Sequence, residues 1–447
     1  MQPSAHIQAA LDLLADAHLG ARTRPMDKAL AYYFKNRRYI GSKDKKNISE
    51  LVYGFIRHKG LLDYATGKKV AGGRLLMLAY LRCVKNKSVR DIEALFDGER
   101  FSPEELSPEE QMFIENVKIP APEELPFSAR YNIPAWLEGE LTSSLGDDLA
   151  PTLTAMLEEA PTDIRVNTLK TSRPKLLNML KVEHKQKRLD ETPNPTPFTP
   201  NGLRYKRRQG LFVLPSFKDG LFEVQDAGSQ LLAALSPVKK GQYVIDMCAG
   251  AGGKTLALAA KMGNKGRILA CDVAEQKLTE LKRRLKRAGV DTVATATIKD
   301  ERDSYLKRHK NKADVVFLDV PCSGSGTWRR NPDGKWHLTA DKLNHLSTLQ
   351  KSILASGARL VKNGGYVVYA TCSVLAKENS HVVQEFTSKN PNFKAVPIAD
   401  VWQQAQQAGS ILPTSKCPVD SDALGLQLLP HIHKTDGFYV AVLKRIS

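Results

Sequence analysis

Residues 242–258, QYVIDMCAGAGGKTLAL, constrain this chain more than any other stretch: an apolar run stops at an acid, passes through a glycine-rich loop and restarts with helical spacing. That order is a strand, a tight loop and a helix N-terminus, the arrangement that presents backbone amides to an adenosine-containing cofactor. Spacing excludes two common glycine motifs. Cys248 stands where a phosphate-binding P-loop has its first glycine, and Thr255 where a dinucleotide fingerprint starting at Gly250 has its last. What fits is an acid followed by small residues at alternate positions, Asp246, Cys248, Gly250 and Gly252, with a second acid, Asp272, closing the next apolar run, GRILACD. A second-strand acid at this distance hydrogen-bonds ribose hydroxyls in sites of this kind, so the stretch reads as a site for S-adenosyl-L-methionine. A glycine turn that only joins strand to helix is the plainer alternative.

From residue 223 onward strand and helix patterns alternate, which predicts an α/β domain with a doubly wound, Rossmann-like parallel sheet. Strands are expected at 242–248, 266–272, 292–298, 313–322 and 365–373, a helix at 340–361, and two terminal strands around a turn at Thr435 to Gly437. In EQKLTELKRRLKRAG, Leu278, Leu281 and Leu285 share one face, leaving Lys282, Arg283, Lys286 and Arg287 as a solvated one.

The chain before this domain differs in kind. Residues 1–120 carry apolar positions at helical spacing, as in HIQAALDLLADAH and ISELVYGFIRHKGLLDYA. The basic loop KNRRYIGSKDKK, with Lys85, Lys87 and Arg90 on the next helix, reads either as a phosphate-contacting surface or as a solvated turn. Residues 103–134, rich in proline and acid, have the composition of a connector, and 121–222 reads as linker plus a small α+β unit. Within it Arg204, Lys206, Arg207 and Arg208 lie near Tyr205 and Phe212, a mixture that suits single-stranded RNA or a solvated basic hairpin. Three domains follow: 1–120, 121–222 and 223–447.

Lys and Arg number 66 against 48 Asp and Glu, a net charge of +18, which favours a polyanionic partner, nucleic acid first. The amino terminus lacks a basic segment followed by an apolar core, and the longest apolar runs, such as 75–81, are too short to cross a bilayer. A cytosolic monomer with no membrane partner is expected. Six cysteines without a CxxC pair argue against a metal site and a disulfide framework.

Two of those cysteines close consecutive strands, Cys322 in DVPCSGSG and Cys372 in YATCS. Ligands of open parallel sheets sit beyond the carboxyl ends of the strands, so both thiols can face one pocket. Beside a methyl donor, a thiol pair points to pyrimidine C5 chemistry. C5 is not nucleophilic until something adds to C6; a thiolate can add there, and loss of the C5 proton after methylation expels it. Two small buried cysteines are the plainer alternative.

The motifs DMCAGAGGKT, DVPCSGSGTWRRNPDGKW, YATCSVLAKEN and LLPHIHKTDGFYVAVLKR, with APTDIRVNTLK and FEVQDAGSQ, resemble the RNA 5-methylcytosine methyltransferases of the Sun/Fmu and Nop type over roughly 135–447. The first 120 residues resemble, more weakly, the NusB-like helical domain of the bacterial members that act on small-subunit ribosomal RNA. The resemblance implies that Cys372 is the nucleophile and that Cys322 assists proton removal and product release. It places the cofactor against the loop Cys248, Ala249, Gly250, Ala251, Gly252, Gly253 and Lys254, with Asp272 at the ribose, Asp300 near the adenine and Asp319 near the methionine end and the target base. Lys254 fits as a cation that favours a thiolate or holds the base. Ala251 departs from the proline usual in the family loop CAxPGGK, and Cys248 fills a loop slot and is expected to pack. The expected enzyme is thus an RNA cytosine-C5 methyltransferase acting on ribosomal RNA. The alternatives are a transfer RNA enzyme, a DNA enzyme using the other cysteine, for which a following glutamate motif is missing, and a non-catalytic ribosome assembly factor.

Overall fold

The computed structural model describes residues 1–15, 25–67 and 73–447. They form two compact units, Met1–Glu158 with Trp328–Thr339, and Glu159–Thr327 with Ala340–Ser447.

The first unit is helical. In its helix Ser42–Arg57, Ile48, Val52, Phe55 and Ile56 recur every three or four residues and are buried, so one face of the helix enters the core. The first helix is Pro3–Leu14; the end of the expected stretch, residues 16–18, lies outside the described residues. Two expectations are corrected here. The acid- and proline-rich run does not merely connect: Ser107 and Glu110 cap each other's backbone amides and start the helix Pro108–Asn116, which buries Ile114. Lys85 follows a π-helical turn, Tyr80–Val84, whereas Arg90 lies in the separate helix Val89–Glu93, so the basic trio does not share a helix. The segment RRNPDGKW packs with these helices: Arg57 donates to the Arg329 carbonyl at 3.1 Å, and the Met26 amide donates to Asp333 at 2.8 Å. No helix among the described residues is long and apolar enough to cross a membrane.

The second unit holds two sheets. The smaller is antiparallel, with β1 (Thr162–Val166), β2 (Asn194–Pro195), β3 (Gly202–Tyr205) and β4 (Phe222–Val224) in the order β2-β3-β1-β4. The larger contains β5 (Tyr243–Asp246), β6 (Arg267–Asp272), β7 (Val293–Thr297), β8 (Ala313–Asp319), β9 (Val361–Thr371), β10 (Phe393–Ala395), β11 (Leu426–Leu428) and β12 (Phe438–Arg445). Its order is β10-β12-β9-β8-β5-β6-β7, with β11 beside β12. β5 to β9 are parallel, as the alternation predicts, and β12 runs antiparallel to β9. Val244, Ile245 and Val315 to Leu318 are fully buried because helices cover both faces. The chain turns back at β5, so the carboxyl ends of β5 and β8 flank the switch point where such sheets hold ligands. The terminal strands pair as expected, with a short helix, Pro430–His433, inserted before the turn.

Candidate active site

The loop between β5 and the helix Gly253–Lys261 is held from three sides. Gly252 adopts φ +85°, and a Cβ there would lie 2.1 Å from Leu281 Cδ1, so only glycine brings the loop onto the helix Glu275–Ala288. Asp272, at the end of β6, accepts from the Gly250 and Ala274 amides, each at 2.8 Å. Arg284 donates to the Ala251 carbonyl at 2.7 Å and pairs with Glu223 at 2.9 Å. The loop that carries alanine in place of proline is thus braced by an arginine. That arginine's neighbour Arg287 was expected in solvent, but it pairs with Glu223 at 2.6 Å and lies over the Phe217 ring at 4.0 Å. Burial of Glu223 draws both cations inward; Lys282, Arg283 and Lys286 stay exposed.

Asp246 ends β5 fully enclosed. One carboxylate oxygen accepts from the Thr255 hydroxyl at 2.6 Å; Oδ1 is buried and has no hydrogen-bond partner. Burial pushes its pKa up to about 7, against the pull of Thr255, and the Asp319 and Asp272 carboxylates add to the rise. The folded chain therefore takes up a proton here between about pH 4 and 7, and stability falls as pH rises through that window. A rise of about three units corresponds to at most about 4 kcal/mol. Asp246→Asn is expected to raise the urea midpoint of the ligand-free protein at pH 8 and to leave it nearly unchanged at pH 4; an equal effect at both pH values contradicts this assignment.

Asp319 lies at the end of β8, half-buried, and its Oδ2 receives Lys254 Nζ at 2.7 Å. Burial alone would depress the Lys254 pKa, but the Asp319 carboxylate outweighs it, Cys372 acts in the same direction, and the net shift is upward. Lys254 therefore stays cationic beside the thiol. Asp300 lies three residues beyond β7, exposed, and accepts from the Arg302 amide at 2.7 Å. Asp246, Asp272, Asp300 and Asp319 thus follow the carboxyl ends of four adjacent strands.

Register brings the two cysteine motifs together: Asp319 of β8 lies opposite Ala370 of β9, and three residues past one and two past the other the sulfurs of Cys322 and Cys372 are 3.4 Å apart. The hydrogen bond with Cys372 and burial push the Cys322 pKa well up, and either sulfur can be the donor across the 3.4 Å contact. Cys248 packs against the cluster of Ile245, Leu269 and Leu318, and burial pushes its thiol pKa well up. Two glycines allow the loops to close: Gly326 donates to the Cys372 carbonyl at 2.9 Å and accepts from Gly437 at 2.8 Å, and a Cβ on Gly326 would lie 1.9 Å from the Gly437 oxygen. Glu378, Ser323, Ser373 and Gln350, absent from the residues expected in the site, form a hydrogen-bonded set behind the thiols. The acid in YATCSVLAKEN was the available signal. No cluster of His, Cys, Asp or Glu disposed to hold a metal occurs among the described residues.

The basic stretch near residue 205 is only partly available to a ligand. Arg204 makes a two-pronged ion pair with buried Asp163, at 2.6 and 2.7 Å, and Tyr205 is fully buried, because alternate β3 residues face the small domain's core. Lys206, Arg207, Arg208 and Phe212 remain exposed.

The model of the 16S rRNA methyltransferase RsmB/F family matches residues 232–444, and that of the RsmF/B-like ferredoxin-like domain matches 133–207. The chain is 32% identical over 326 residues to the "Probable ribosomal RNA small subunit methyltransferase B" of Synechocystis, covering 72% of this chain and 69% of that one. The crystal structure of PH0851 superposes over 100% of this chain and 99% of its own, with TM-score 0.74 and 25% identity. A methyltransferase homolog protein from Pyrococcus horikoshii matches over 73% and 100%, with TM-score 0.58 and 28% identity.

Proposed function

The chain belongs to the RsmB/F family of 16S ribosomal RNA methyltransferases, and from that premise we propose that it methylates C5 of a cytosine in small-subunit ribosomal RNA, with Cys372 as nucleophile and Cys322 as its proton-handling partner. The observation that carries this reading is the pair of sulfurs 3.4 Å apart at the carboxyl ends of neighbouring strands, with the Lys254–Asp319 ion pair beside them.

The residues present fit S-adenosylmethionine as the methyl donor. Asp246 offers a buried carboxylate oxygen that lacks a partner, which suits the amino group of a methionine moiety. Asp272 has lone pairs left for ribose hydroxyls after its two backbone bonds, and the residues Cys248 to Lys254 and Asp300 border the same strand ends. When bound, the donor supplies an electrophilic methyl group.

The chain's own residues supply the rest. The partly exposed Cys372 thiol releases its proton to solvent and Lys254 stabilises the resulting thiolate, which attacks C6; the S–C6 bond forms as the C5–C6 double bond gives up its electron pair to make C5 nucleophilic. Asp319, partly exposed and anchored by Lys254, faces the base. Cys322 is a thiol in the resting site, its pKa raised by the contact with Cys372 and by burial. After the thioether has formed, the partly exposed Cys322 releases its proton to solvent and, as a thiolate, accepts the proton from C5. The C5–C6 double bond then re-forms and the S–C6 bond breaks.

Bisulfite sequencing of ribosomal and transfer RNA from a deletion strain tests the substrate. One small-subunit cytosine should lose its protection, whereas loss confined to transfer RNA would transfer the proposal to the alternative substrate. Asp272→Ala is expected to weaken S-adenosylmethionine binding about ten- to a hundredfold, since charged hydrogen bonds contribute about 1.5 to 3 kcal/mol. Calorimetric titration checks it, and unchanged affinity rejects the ribose role.

A further inference from the structure

We infer that Glu378 is a positioning residue that clamps the two cysteine loops together and thereby sets the separation of the reacting thiols. Its side chain is fully buried and accepts four hydrogen bonds. The Ser323 amide donates to Oε1 at 2.8 Å and the Ser323 hydroxyl to Oε2 at 2.5 Å, one residue after Cys322. The Ser373 hydroxyl donates to Oε2 at 2.5 Å, one residue after Cys372. Gln350 donates to Oε1 at 3.0 Å and also to the Pro321 carbonyl at 2.9 Å, one residue before Cys322. A single carboxylate therefore joins the residues flanking both sulfurs.

Glu378 is itself held: its carbonyl accepts from the Tyr369 hydroxyl at 2.6 Å, and the adjacent Asn379 bonds Thr371 at 2.6 Å and the Ser373 carbonyl at 2.9 Å. A fully buried carboxylate needs this many donors to offset its desolvation, and it finds them only when both loops are in place. Glu378 touches neither sulfur through any of these bonds, so it acts through the serines. Its charge also contributes to keeping Cys322 protonated, after the Cys372 bond and burial. Geometry and proton placement thus depend on the same side chain, and a small displacement of a reacting group is enough to cost about a hundredfold in rate.

The inference rests on the thiol reading of the reaction, so its test includes a measurement that needs no catalysis. Dibromobimane fluoresces strongly once both its arms have alkylated neighbouring thiols; applied to the full-length protein, with Cys322→Ala as the blank, it reads the closeness of Cys322 and Cys372. Glu378→Ala should lower both the bridging rate and kcat about a hundredfold, and Glu378→Gln, which keeps the shape and loses one acceptor and the charge, about tenfold. KM for RNA and affinity for S-adenosylmethionine should stay near wild type in both. If Glu378→Ala does not fold, judged by circular dichroism, Glu378→Gln decides. Wild-type bridging in a folded Glu378→Gln protein overturns the inference. Lost bridging with undiminished methylation would leave the clamp standing and reject thiol catalysis instead.

Discussion

Lys254→Met is expected to lower kcat about 100- to 1000-fold, the loss typical of removing one preorganised electrostatic stabiliser, while KM for RNA changes much less. Lys254 is the cation paired with Asp319 at 2.7 Å, and its mutual interaction with Cys372 places its charge where the nucleophile needs it. Methionine fills the same narrow space without charge. The fold should survive, because Asp319 is 31% exposed and water can solvate the carboxylate left behind. The reverse change is harsher on stability: Asp319→Asn strands a cation whose side chain is only 11% exposed. Lys254→Arg should recover little, since a planar guanidinium cannot replace a compact ammonium in an enclosed site. Single-turnover methyl transfer measures the effect, and a Lys254→Met rate within about tenfold of wild type would remove Lys254 from the chemistry.

Much of the catalytic domain was legible because its determinants are local. Four of the five parallel strands are apolar runs that end near an acid or a cysteine, so Asp246, Asp272, Cys322 and Cys372 could be placed near strand ends from their runs, and adjacency of β8 and β9 then joined the thiols; Asp319 came from the family resemblance. What stayed hidden depends on partners distant in sequence. Arg204 looked available for RNA until the fold brought Asp163, 41 positions away, against it. Arg287 looked solvated until Glu223 arrived from the small sheet. Glu378 is the strongest case: its four donors come from Ser323, Gln350 and Ser373, two of them on loops that only the sheet order makes neighbours. The segment 328–339 follows the cysteine loop directly in sequence but packs with the helices of the first unit, through Arg57 and Met26. Composition carries no trace of such a placement.

The largest effect belongs to Cys372. In the proposed mechanism its removal takes away the group that adds to C6, and methylation should fall on the order of 10^4- to 10^6-fold, as when other catalytic nucleophiles are deleted. Cys322 acts on the opposite side of methyl transfer. In the proposed mechanism it is needed as a base only after the thioether has formed, so its loss should stall elimination and leave addition and methylation intact. The stalled species is a protein joined to methylated RNA through a bond that survives denaturant. The roles exchange if Cys322 is the nucleophile, as in the DNA-type arrangement.

A denaturing gel of wild type, Cys372→Ala and Cys322→Ala incubated with unmodified small-subunit RNA and labelled S-adenosylmethionine therefore tests the thiol mechanism directly. The account predicts a labelled, shifted band from Cys322→Ala and neither band nor methylated RNA from Cys372→Ala; methylation by Cys372→Ala, or an adduct from it alone, would contradict the account.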